Sequence, residues 1–248
     1  VFDLMDIEQL EVLRGPQGTL FGKNTTAGVI NISTRAPTFT PERSIETSVG
    51  EDGYFQTKGT ISGPLNDELA GRFSAYRTRS DGDIKNEYDG HDLNGGSRDG
   101  FRGQLLFKPN ESFNLRWIGD YNEEDSSAGT RVLYNTGPTI NGVNLYQNRA
   151  NAAGATLVDG THRKVNLNND QHVTVHQGGT SVEANWTLPS DFTLTSISAY
   201  RWWNFTPRND DGLNVTAFYN AGVSVEDKQY SQEFRLASPT GGFFDYVL

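Results

Sequence analysis

The 248-residue sequence contains no cysteine. That excludes a disulfide framework and any thiolate-held metal. A basic surplus is also missing: 21 Lys and Arg stand against 31 Asp and Glu, giving a net charge of −10. Nucleic acid is a poor partner for such a chain, because its phosphates need a basic surface. No apolar run approaches the roughly 18 residues of a membrane helix. Two classes survive: a soluble β protein, and a β-barrel whose strands need only alternate residues to be apolar. There is no G-x-S-x-G elbow and no persuasive triad, so no catalytic residue is assigned and the chain is not read as an enzyme. No cofactor is assigned either.

Weak motifs fail on inspection. Gly18-Thr19-Leu20-Phe21-Gly22-Lys23-Asn24 has the wrong gap for a phosphate loop, and Asn24 replaces the hydroxyl that magnesium needs. His172 and His176 stand four apart, a zinc spacing on a helix. The Val-Thr-Val between them favours a strand, on which four residues span about 13 Å. Asp81-Gly82-Asp83-Ile84-Lys85-Asn86 opens like a calcium loop, but Lys85 falls where a ligand belongs. No metal site is assigned.

What the sequence does have is alternation. Phe55, Thr57, Gly59 and Ile61 alternate with polar Gln56, Lys58 and Thr60. Phe113, Leu115, Trp117 and Tyr121 alternate with Asn114, Arg116, Asp120 and Asn122. Val182, Ala184, Trp186 and Leu188 do so with Ser181, Glu183, Asn185 and Thr187, and Tyr230, Phe234 and Leu236 with Ser231, Glu233 and Arg235. A period of two places the sets on opposite sheet faces. Short proline-led turns near residues 64–68, 109–112, 189–191 and 239–242 alternate with long polar loops near 81–99, 123–170 and 206–225. Short turns on one side and long loops on the other are the outer-membrane barrel pattern, with the short turns in the periplasm. Eight strands and the start of a ninth are expected, roughly over 43–50, 53–63, 68–80, 100–109, 112–123, 171–188, 191–205, 226–238 and 243 onward. Tyr200, Trp202, Trp203 and Phe205 cluster at the exterior end of one strand and read as an interfacial aromatic belt.

Residues 7–37 differ in texture. IEQLEVLRGPQGTLFG over 7–22, followed by GVINI over 28–32, resembles the C-terminal part of the plug domain of TonB-dependent outer-membrane receptors. The resemblance implies residues 1–40 as the end of a plug. It implies 41–248 as the N-terminal part of a transmembrane barrel, about eight or nine strands of a 22-strand, all-β antiparallel barrel. It implies a protein of the Gram-negative outer membrane that imports a bulky, scarce nutrient, a ferric siderophore first. Carbohydrate or cobalamin import, or a non-transporting surface-sensing barrel, are the alternatives. Implied partners are outer-membrane lipid, the nutrient, and the TonB energy-coupling protein acting through a segment not in this sequence. With no initiator Met and no export signal, the chain is expected to be an internal piece of a larger protein.

Residues carrying these expectations fall into two sets. Gly15, Gly18, Gly22 and Gly28 are expected to permit tight turns beside Pro16. By the resemblance, Arg14 of the family's LRGP motif, and more loosely Arg35, pair with barrel glutamates. The loop over 123–170 is the longest insertion, and its Arg131, Tyr134, Asn135, Tyr146, Gln147 and Arg149 are candidate ligand contacts.

Overall fold

The computed structural model describes residues 5–21, 25–127, 129–169, 171–210, 219–220, 222–241 and 243–248. It opens with a small unit. Strand β1 (Ile7–Arg14) pairs antiparallel with β2 (Gly28–Thr34), and the four-residue helix α1 (Gly18–Phe21) sits in the connection. Gly15, at φ 86°, turns the chain out of β1 and its N–H donates to Ala27 O at 3.1 Å. At Gly28, φ is 155° and a Cβ would come 2.6 Å from Leu13 O, so only glycine lets the strands close. Gly18 has open space around it, so no clash demands a glycine there. Pro16 is exposed, and Gly22 lies outside the described residues.

The rest is dominated by one antiparallel sheet. Its long strands are β3 (Glu42–Val49), β4 (Phe55–Pro64), β5 (Leu69–Ser80), β8 (Gly96–Asn110), β9 (Phe113–Ser126), β11 (His172–Thr187), β12 (Thr193–Asp210) and β14 (Val225–Ala237). They pair in that order, each with the next, and a two-residue β13 (Tyr219–Asn220) pairs antiparallel with Asn209 and Asp210 at the end of β12. Sequential hairpins are the shortest way to join antiparallel neighbours. The 16 residues of β11 and 18 of β12 exceed the roughly 9–11 needed to cross a bilayer. The short turns have local causes. Asn66 Oδ1 accepts from the N–H groups of Glu68 and Leu69, and Asn110 Oδ1 from that of Ser112. The expected ninth strand from 243 reduces to a bridge, Ala237 to Val247, with Leu236 and Leu248 exchanging backbone hydrogen bonds.

Register assigns every side chain to a face. Ile61 opposes Phe73, Leu105 opposes Trp117, and Trp117 opposes Val182, forming one apolar face. Trp186 and Phe234 continue it and are 50% and 67% exposed. Phe113, Leu115 and Leu236 share that face by alternation, while Arg116, Glu183, Glu233 and Arg235 lie on the other. That other face is polar and partly buried: Ser74 is 0% exposed, Gln104 2% and Arg72 5%. The molecule is thus inverted, apolar outside and polar within, which is the arrangement of a barrel wall in lipid. No second sheet covers the apolar face among the described residues. Replacing Val182 by Arg should therefore cost roughly 2–4 kcal/mol if the site lies near the bilayer midplane. Urea unfolding from phospholipid vesicles checks it, with inward-facing Ser181→Arg as the milder control.

The aromatic cluster divides. Tyr200 and Trp202 lie on the outer face, where Tyr200 packs on Tyr230 at 4.6 Å between ring centroids. Trp203 and Phe205 lie on the inner face and stack on each other at 5.4 Å. Four residues within six positions of one strand cannot share a surface, because successive side chains alternate.

The exterior loops are more ordered than their polarity suggests. Residues 81–95 form a hairpin of β6 (Ile84–Asn86) and β7 (Asp92–Leu93). The next loop carries α2 (Leu145–Ala152), a 3-10 turn (Gly160–His162) and β10 (Lys164–Val165), and β10 pairs in parallel with β6. Ile84, Val165 and Leu167 form a buried cluster beside Leu93 and Val132. Asn86 closes it: its Nδ2 donates to Leu167 O and its Oδ1 accepts from Leu167 N, both at 2.9 Å. Arg163–Asp83 and Lys164–Glu87 ion pairs flank the junction.

Candidate functional site

The inner face of the sheet grips the N-terminal unit along a polar seam. Asp6, in left-handed backbone at φ 55°, turns its carboxylate into the sheet. Arg72 meets it with two N–H groups, Nε to Oδ2 at 2.6 Å and Nη2 to Oδ1 at 2.5 Å. Ser74 Oγ adds a third hydrogen bond at 2.9 Å. The pair's side chains are 3% and 4% exposed, so solvent does little to weaken it. Arg72 Nη1 also donates to Glu42 at 2.9 Å.

The other contacts satisfy backbone carbonyls where β2 ends. Arg116 Nη2 donates to Thr34 O at 3.0 Å and to Arg35 O at 3.1 Å. Gln104 Nε2 donates to Arg35 O at 3.1 Å, and its Oε1 accepts from Arg116. Arg102 Nη1 donates to Met5 O at 3.3 Å. Ser62 Oγ then takes the N–H of Thr38 at 3.0 Å, fixing the linker. Residues 72, 104 and 116 come from three adjacent strands and are aligned only by register.

The seam is not built from the pairing of Arg14 and Arg35 with barrel glutamates that the LRGP motif implies. In the seam the carboxylate belongs to the N-terminal unit and the arginines to the sheet. Arg14 is exposed and has no ion pair among the described residues. Arg35 is exposed, and its Nε donates to Ile7 O at 3.3 Å rather than to a carboxylate. Sequence reading missed Asp6, Arg72, Gln104 and Arg102. The available signal was an arginine on the polar face of three successive strands, at positions 72, 102 and 116.

Burial raises the pKa of the Asp6 carboxyl, but hydrogen bonds from Arg72 and Ser74 and the charges of Arg72 and Arg102 outweigh it and hold the value below 3.8. A carboxyl with a lowered folded-state pKa contributes stability above its unfolded value of about 4, and loses it as pH falls through the folded value. The seam should loosen in acid below about pH 4 and be unchanged from there to neutrality. Hydrogen exchange of the β1–β2 amides, corrected for intrinsic rate, checks this; Asp6→Asn should remove the acid step.

The loop candidates are placed but not gathered. Arg131, Tyr134 and Asn135 lie in a stretch without regular secondary structure, with Asn135 Oδ1 accepting from Gly137 N at 2.6 Å. Tyr146, Gln147 and Arg149 lie on α2, whose N-cap is Asn144; its Oδ1 accepts from Gln147 N at 2.9 Å. Gln147 Nε2 donates to Asn151 at 2.9 Å. Arg131, Tyr134 and Arg149 are exposed. Among the described residues, no hydrogen bond or ion pair joins the six candidates to one another. His172 and His176 do lie on a strand, near Asp125 and hydrogen-bonded to Tyr121 OH respectively. Below the loops, the inner face continues with Arg98–Glu124 at 3.1 Å and Arg201–Asp120 at 2.6 Å.

No family model matches the chain. Over 96 residues it is 43% identical to the pesticin receptor of Yersinia pestis, a stretch covering 38% of this chain and 14% of that protein. It is 25% identical over 225 residues to the ferric enterobactin receptor PirA of Pseudomonas aeruginosa, covering 79% of the chain and 30% of the receptor. The vitamin B12 transporter BtuB of Vibrio vulnificus is 32% identical over 101 residues, or 41% of the chain and 16% of that protein. Among solved structures, the ferric yersiniabactin uptake receptor FyuA from Yersinia pestis superposes with a TM-score of 0.77 at 24% identity, covering 98% of this chain and 35% of that one. The chain thus spans about a third or less of the length of these relatives. Their names are those of receptors and transporters, and the chain resembles these outer-membrane proteins in sequence over part of its length and shares the fold of the yersiniabactin uptake receptor over nearly all of it.

Proposed function

We propose that residues 1–40 are the end of a plug, that 41–248 begin the barrel wall around it, and that the whole receptor imports a ferric siderophore. The seam carries the reading. A small folded unit held to the polar face of a lipid-facing wall, by one buried ion pair and several carbonyl contacts, is what gating needs: closed at rest, with few contacts to rearrange. The exterior loops, with Arg131, Tyr134, Asn135, Tyr146, Gln147 and Arg149, offer the donors and acceptors that a polar chelate requires. TonB supplies the energy through a plug segment outside this sequence. The ferric enterobactin receptor and the ferric yersiniabactin uptake receptor among the relatives favour a ferric siderophore. The likeness to a vitamin B12 transporter keeps cobalamin as the second reading.

Uptake of radiolabelled ferric siderophore and of cobalamin, in cells with and without the receptor and with and without TonB, tests this. TonB-dependent accumulation of iron is expected. Accumulation of cobalamin alone would move the substrate to the second reading. No TonB-dependent accumulation of any probe would make the barrel a non-transporting one.

A further inference from the structure

The outer face carries a groove that nutrient passage does not use. It lies at the short-turn end of β3, β4, β5, β8 and β9, is open to the outside and offers about 590 Å³ of space. Its floor is glycine, at Gly63, Gly71 and Gly103, and its walls include Leu65, Phe73 and Trp117. None of the three floor glycines has the positive φ that reserves a position for glycine. A Cβ at Gly71 would meet Leu65 at an ordinary 3.4 Å, and one at Gly103 would come no nearer than 4.0 Å to Trp117. The backbone would accept side chains here, so what the glycines keep is the empty space itself.

One free cation stands at the groove. Arg43 is exposed and opposes Ile61 on the outer face. No carboxylate pairs with it among the described residues. The groove's other arginine, Arg72, has its guanidinium committed to Asp6 and Glu42 on the opposite face. Short turns mark the periplasmic side of such barrels, so Arg43 sits at the headgroup level of that leaflet. An arginine fork matches phosphate oxygens closely. Inside a bilayer an acyl chain gains nothing from leaving water, because lipid tails are already as apolar as the groove. Selective retention must then come from the charge pair and from shape.

We propose that this groove holds a glycerophospholipid of the periplasmic leaflet, with its phosphate on Arg43 and one acyl chain laid over Gly71 and Gly103 against Phe73 and Trp117. The site depends on the outward orientation of the sheet and not on which nutrient the receptor carries.

Native mass spectrometry of the intact receptor in mild detergent, with phosphatidylglycerol added, tests it. Diacylglycerol with the same chains serves as the phosphate-free probe. Retention of phosphatidylglycerol should fall about fivefold in Arg43→Gln, as expected for one basic residue at a lipid surface. Arg43→Lys should keep most of it. Gly103→Leu should lower it with Arg43 intact, by filling the floor, and Gly71→Leu repeats that test at a second position. Diacylglycerol should not be retained above detergent background. Unchanged retention in Arg43→Gln, equal retention of the two probes, or a second receptor copy replacing lipid in the spectrum would each overturn the proposal. Arg43 is exposed, so its variants remain informative if a leucine variant fails to fold.

Discussion

Arg72→Ala should release the N-terminal unit while leaving the barrel wall standing. The substitution leaves the Asp6 carboxylate, whose side chain is 4% exposed, with Ser74 as its remaining hydrogen-bond partner. Removing one partner of a buried pair costs about 3–5 kcal/mol. The loss falls on the seam, because β5 keeps its ladders to β4 and β8. In the intact receptor, cleavage within residues 5–40 by added protease should rise roughly a hundredfold to several thousandfold, if cutting follows the open population. Arg72→Met combined with Asp6→Leu should recover most of the loss, since replacing both members of a buried pair is often close to neutral. If the effects of Arg72→Ala and Asp6→Ala simply add in the double variant, the two side chains are not coupled and the seam is misread.

Removing residues 135–155 should abolish ligand binding to intact cells without lowering surface expression. That segment carries Asn135, Tyr146, Gln147, Arg149 and all of α2, yet none of the buried cluster at Ile84, Val165 and Leu167. The joined loops should therefore persist as a platform without its contacts. Leu167→Ala is the complementary variant. Leu167 is 1% exposed, and such a truncation costs about 2–5 kcal/mol, enough to separate the two loops. It should weaken binding with every candidate contact residue still present. Undiminished affinity in the deletion, at normal expression, would show the segment to be a shield rather than a binding element.

The parts of this molecule that are legible in sequence are those with a period. Phe113, Leu115 and Trp117 face outward and Arg116 inward because a strand alternates, and no knowledge of neighbours is needed. The same rule, applied residue by residue, separates Trp203 and Phe205 from Tyr200 and Trp202; treating the four as one belt overlooked it. The seam is different in kind. Arg72, Gln104 and Arg116 become neighbours only once three strands are in register, and Asp6 reaches them through a left-handed turn ahead of the recognisable motif. The family motif instead drew attention to Arg14, which is exposed. The loop junction was hidden for a similar reason. β6 and β10 are two- or three-residue strands lying far apart in sequence, and their parallel pairing leaves no local pattern. A turn at Tyr88-Asp89-Gly90-His91 between Ile84 and Leu93 was the one local sign of a hairpin.

The inverted wall is tested most directly by its own tryptophans. Trp186 lies on the outer face and Trp203 on the inner one. Two variants of the intact receptor, each with only one of these as its sole tryptophan, should be placed in vesicles of brominated phospholipid, which quenches indole on contact. Trp186 emission should fall steeply against unbrominated vesicles and Trp203 emission should barely change. Equal quenching of the two, or stronger quenching of Trp203, would contradict the assignment of faces on which the seam, the gating proposal and the lipid groove all rest.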